Sequence, residues 1–143
     1  MLEAVASNTR FDVFRLTDAI LAGDANRSLA VLDGLRAEGI APALVSWVLC
    51  RELCLLARLK SSVQQGDSED RALSRHHVWS QRQPLVKRAL QRYRLGQLTA
   101  LLAQAAEVDH VIKGVSRGRP WDGLTQLVMA MVASEHLQSG RAA

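Results

Sequence analysis

Residues 14–59 read FRLTDAILAGDANRSLAVLDGLRAEGIAPALVSWVLCRELCLLARL, three apolar runs divided by clear punctuation. Phe14, Leu16, Ala19, Ile20 and Leu21 run into Gly23-Asp24, and Leu29, Leu32 and Leu35 run into Glu38-Gly39. Pro42 then opens a longer apolar run that carries Arg51-Glu52-Leu53. Apolar recurrence at three and four residues is the period of a helix, so the stretch predicts three of them. Gly23 and Gly39 stand where a helix end turns left-handed, and Asp24 can cap the free amides of the second helix. Proline is tolerated in a first turn, where its missing amide has no helical partner. Helix one is expected over about 11–22, and helix three from Pro42 to about Gln65. At 100° per residue Leu44, Val48, Leu55 and Leu59 share one arc, while Leu49, Leu53 and Leu56 lie away from it. A helix apolar nearly all round is packed by neighbours on several sides.

Beyond it, Gln64 to Asp70 is polar throughout and predicts the main internal loop. A short helix is expected around His76 to Gln81, followed by one opening at Pro84 with Leu85, Val86, Ala89, Leu90 and Tyr93 on one face. Gly96 breaks that pattern. Leu98, Leu101, Leu102, Ala105, Val108 and Ile112 define another helix ending at Gly114, and Pro120 opens a last one through Trp121, Leu124 and Val128, expected to be core. Period-two alternation is nowhere long enough for a strand, and no solenoid repeat is present. The expected fold is all-α, an irregular bundle of about five to seven helices.

A chain of 143 residues with 48% apolar content fits one domain with a sizeable core. Aromatics are only 4%, so that core must be mostly Leu, Val and Ala, which suits helices better than sheets. Two cysteines, Cys50 and Cys54, make a disulfide framework improbable and favour a reducing compartment. There is no 18-residue apolar run free of charge and no apolar signal core at the N-terminus, so a soluble, cytoplasmic protein is expected. The net charge of +4 is uneven: residues 71–106 hold Arg71, Arg75, Arg82, Lys87, Arg88, Arg92 and Arg94 with no Asp or Glu.

No nucleotide loop, nucleophile elbow or zinc-protease motif occurs. Cys50 and Cys54 share a helical face as metal ligands would, but no second ligand pair follows, which favours packing cysteines. Adjacent His76 and His77 point apart on a helix and read as surface or cap residues; His77 with Glu52 is the least implausible acid–base pair. Neither catalytic, metal nor cofactor-binding residues are therefore expected, nor a small-molecule substrate. Three charges fall on or beside apolar faces: Arg51, Glu52 and Asp109, the last with Lys113 one turn on. A buried charge must be paired, so these predict an interhelical network or an interface with another protein, against the simpler reading that they edge their faces. The cations Arg82, Lys87, Arg88, Arg92 and Arg94 predict a solvated face, a surface for an acidic partner, or a DNA contact.

The order and spacing of Phe14-x-Leu16-x-Asp18-Ala19, Gly23-Asp24, Leu32-x-x-Leu35-x-x-Glu38-Gly39, Pro42, Arg51-Glu52-Leu53, His77-x-Trp79 with Arg82, Asp109 with Lys113-Gly114, and Trp121 with Leu124 resemble the C-terminal domain of the bacterial DNA polymerase III delta subunit. The resemblance runs from about residue 10 to residue 133. It implies that residues 1–10 join a preceding lid domain of an AAA+-like module, that 11–138 form a helical collar domain, and that 139–143 are a tail. It further implies a non-catalytic oligomerisation domain, meeting gamma or tau and delta-prime subunits in the ring that holds a clamp loader together for DNA replication. The alternative is a helical DNA-binding module using the basic 71–94 segment.

Overall fold

The structure, a computed structural model, describes the backbone of residues 2–141 and the side chains of residues 12–133. Seven helices and no strand occur among the described residues: α1 (Leu2–Leu21), α2 (Ala25–Ala37), α3 (Pro42–Gln64), α4 (Glu69–Arg75), α5 (Gln83–Arg92), α6 (Leu95–Ile112) and α7 (Pro120–Arg141). The helix starts at Pro42 and Pro120 and the stops at Gly23, Gly39 and Gly114 fall where the sequence puts them.

Four expectations differ. The backbone of α1 begins at Leu2, not near residue 11, and the side chains of residues 2–11 lie outside those described. The polar 64–70 loop is shorter than expected, because the Ser68 hydroxyl accepts from the Arg71 amide and Glu69 and Asp70 form the acidic first turn of α4. The short helix expected at 76–81 is instead the turn between α4 and α5. The break expected at Gly96 falls instead at Tyr93-Arg94; Gly96 sits in the first turn of α6, whose start is fixed by the Arg94 amide donating to the Gln97 side chain at 2.9 Å. The backbone of α7 runs through Arg141, and residues 142 and 143 lie outside the described ones.

α3 is the central helix. It packs against α1, α4, α5, α6 and α7, most extensively against α6. Its buried Val45, Leu49, Leu53, Leu56 and Leu59 meet Leu16 and Ile20 of α1, Leu98, Leu101 and Ala105 of α6, and Leu124, Leu127 and Val128 of α7 in one continuous core. The core is aliphatic, as the scarcity of aromatics requires, and each fully buried Leu contributes about 1.5–3 kcal/mol of transfer free energy. Trp121 packs against this core without being enclosed by it. Phe14 departs from the expected apolar face of the first helix and is 37% exposed. Polar links close the bundle: Tyr93 Oη donates to the Met131 carbonyl at 2.7 Å, Lys60 Nζ to the Leu90 carbonyl at 2.7 Å, and the Arg92 guanidinium to the Leu21 carbonyl at the end of α1.

Candidate functional site

A cleft of about 490 Å³ opens between α1, α3 and the 76–82 turn. The turn is built locally. α4 ends with His76 as cap and His77 in the left-handed region at φ 58. The His77 amide then reaches the Ser74 carbonyl and the Val78 amide the Leu73 carbonyl, which satisfies the last carbonyls of the helix. Val78 is buried against the core while the next side chain, Trp79, projects outward with 74% of its surface exposed. The chain turns back through Arg82 and Gln83, whose amides both donate to the Trp79 carbonyl, and α5 begins.

The floor of the cleft is charged. Glu52 on α3 is only 5% exposed, and its carboxylate takes a 3.0 Å hydrogen bond from Arg82 Nη2. The same guanidinium lies 3.3 Å from Asp18 on α1 through both Nη2 and Nε. One cation thus bridges two carboxylates on different helices, which keeps the buried Glu52 paired. Around the rim stand Phe14, Leu55, Arg58, His77 and Trp79, together with Arg51. The Arg51 guanidinium also covers the exposed Trp47 indole, 5.5 Å from the ring centroid. Trp47, Arg51 and Arg58 follow one another at spacings of four and seven, so the outer face of α3 presents an indole and two guanidinium groups in a row.

Arg51, Glu52 and Asp109 do not gather into one network. Glu52 turns to Arg82, Arg51 to Trp47, and Asp109 to Lys113 at 2.7 Å on its own helix. The cations of the basic segment are also divided. Arg82 is turned inward, Arg75 pairs with Asp67 and Lys87 with Asp70, both at 2.8 Å, and Arg92 reaches the end of α1. The hydrogen bond and charge of Asp70 raise the Lys87 pKa and hold it in the protonated form. Arg88 and Arg94 stay exposed. The acids that compensate the segment come from α1, α3 and residues 67–70, so a linear count of charge over 71–106 misses them. His77 and Glu52 line the same cleft, yet the hydrogen bond from Arg82 engages the carboxylate.

Cys50 and Cys54 are half-buried free thiols, and burial pushes the Cys50 thiol up, against the lowering effect of its hydrogen bond with Ser46. Among the described residues no three His, Cys, Asp or Glu side chains are grouped to hold a metal ion, and no helix is long and apolar enough to cross a membrane.

A second surface is wholly apolar. Ala25 and Leu29 of α2 with Val128, Met129, Val132 and Ala133 of α7 line an open groove of about 130 Å³. Met129 lies 53% exposed within it. Sequence periodicity alone marks these positions as helical but cannot say which of them the fold leaves uncovered.

Residues 13–137 match a protein family described as the C-terminal region of the DNA polymerase III processivity clamp loader gamma complex. The chain is similar to the DNA polymerase III subunit delta of Escherichia coli, at 33% identity over 130 residues that cover 88% of this chain and 37% of that protein. It is also similar to the DNA polymerase III subunit delta of Haemophilus influenzae, at 29% identity over 138 residues, 89% of this chain and 39% of that protein. The chain therefore spans less than two-fifths of the length of these relatives. Both are named as delta subunits. The match over most of the chain, the all-α bundle and the two relatives together place this chain in the family of C-terminal domains of DNA polymerase III delta subunits.

Proposed function

We propose that the chain is an oligomerisation module, a collar domain that meets gamma or tau and delta-prime subunits and holds a clamp loader together. One observation carries this reading: the groove between α2 and α7 is lined only by apolar side chains, with Met129 standing open in it. A contiguous apolar surface on a folded domain marks a protein contact, and Met is enriched in such contacts. Subunits of a heteromeric ring meet different neighbours on each side, so the domain on its own need not self-associate. Sedimentation of the chain with the C-terminal domains of gamma and delta-prime tests the proposal. A defined hetero-oligomer is the expected result; no association at tens of micromolar would count against it.

A second reading is favoured by a different observation, the exposed Trp79 lining the same cleft as Arg51 and Arg58. An open indole lining the same cleft as guanidinium groups that have no carboxylate partner among the described residues is an arrangement that can stack a base while neutralising phosphates. This shifts the DNA-binding alternative from the 71–94 segment, where Arg75, Arg82 and Lys87 are paired with carboxylates, to the face of α3. A fluorescence titration with oligo-dT should then show affinity that falls steeply with salt. Trp79→Ala should weaken it about 5- to 150-fold, the worth of one stacked base. Salt-insensitive binding, or binding unaffected by the loss of Trp79, would exclude the cleft.

A further inference from the structure

The bridge formed by Arg82 does more than neutralise Glu52. Arg82 closes the turn that carries Trp79, and that turn is fixed at two places. On one side Val78 is buried in the core, and its carbonyl accepts from the Gln83 side chain at 3.0 Å. On the other, Arg82 is tied to α3 through Glu52 at 3.0 Å and to α1 through Asp18 at 3.3 Å. Trp79 lies between the two anchors, and no hydrophobic neighbour encloses it at 74% exposure. An exposed indole has no packing of its own to hold its height and direction, so its position is inherited from the backbone beneath it. That backbone includes a residue at positive φ, which persists only where the surroundings enforce it.

We infer that Arg82, held by Glu52 and Asp18, is a positioning residue that fixes the 76–82 turn and so presents Trp79 at the mouth of the cleft. The three groups come from α1, α3 and the start of α5, so the orientation of the indole is coupled to the packing of those helices. A planar guanidinium suits the task, since its donors can reach two carboxylates at once and a lysine ammonium lacks that fork. For its consequence in binding, the inference rests on the nucleic-acid reading of the cleft. For the geometry of the turn it does not.

The test uses the 143-residue chain carrying both Glu52→Leu and Arg82→Met. Replacing a buried ion pair by apolar residues of similar volume is commonly tolerated, whereas removing one partner strands a buried charge. One acid and one base are lost together, so the net charge is unchanged. Hydrogen exchange should quicken about tenfold or more at the amides of residues 76–82 and stay as in the parent within α3. Oligo-dT affinity should fall about tenfold through lost pre-organisation, with the slope against salt concentration retained. If affinity falls, the slope drops by about one and exchange is unchanged, Arg82 is a direct phosphate contact and the positioning role is overturned. Unchanged exchange with unchanged affinity overturns it equally. Faster exchange in the turn of a chain whose parent binds no oligonucleotide leaves the positioning role standing and removes the nucleic-acid reading instead. Arg82→Lys serves as a second variant: it keeps the charge, and it should loosen the turn if bridging two carboxylates is what matters.

Discussion

His77 is the non-glycine residue that the described backbone holds at positive φ, and it occupies the place that Gly39 fills at the end of α2. The sequence marks it as a cap residue, but nothing in a His-His pair tells which one turns left-handed. A side chain other than glycine there is strained by about 1 kcal/mol. His77→Gly is therefore expected to raise stability by roughly 0.5–1 kcal/mol, read as a higher urea midpoint at unchanged slope. Asp67 gives a pH prediction. The hydrogen bond from Ser62 lowers its pKa most; desolvation opposes this, and Arg75, Arg71 and His76 lower it further. A carboxyl lowered on folding contributes stability that is present above its unfolded value of about 3.9 and is lost as pH falls through the folded value. The Asp67→Asn variant should accordingly lose less stability than the parent on acidification below about pH 4, followed by thermal unfolding. Equal losses would mean that the Ser62 and Arg75 contacts do not form in solution.

α3 shows what a helix reveals in advance. Its breadth of apolar positions marks it as central, and the structure surrounds it with five other helices. Leu53→Ala, at a fully buried position, should cost about 2–5 kcal/mol, and Val115→Ala, in the exposed α6–α7 connection, less than about 0.5 kcal/mol, both by urea denaturation. A small effect at Leu53 would mean that the site collapses around the missing side chain. α4 shows the reverse. Seven residues give too short a window for a periodic face, so its polar first turn passes for loop. The signal is present in another form, since Ser68 followed by Glu69 and Asp70 is a cap with acids at the positive end of the helix dipole. The next turn passes for a helix because Val78 and Trp79 supply apolar character, although only Val78 is buried.

For the whole molecule, the consequential prediction concerns assembly. Met129→Glu places a charge in the apolar α2–α7 groove at a site more than half exposed. Association with gamma or delta-prime domains should weaken at least about tenfold, by sedimentation, while the thermal midpoint of the chain alone stays within a few degrees. Retained association would move the contact to another face. The sequence by itself determined the all-α class, the three opening helices, the central place of α3, the aliphatic core and the likeness to the C-terminal domains of delta subunits. These follow from periodicity, capping chemistry and the order of motifs, all of which are local or sequential. Asp109 and Lys113, one turn apart, could be paired from the sequence; tertiary structure alone decided which charges meet across the chain. Arg82 finds Asp18 across 64 residues and Glu52 across 30, and Lys87 finds Asp70 across 17. It alone also decided that Trp79 is open and that Met129 lies uncovered, because exposure depends on where the other helices end. Helical period fixes the direction a side chain takes from its own axis; only packing fixes what, if anything, it meets there.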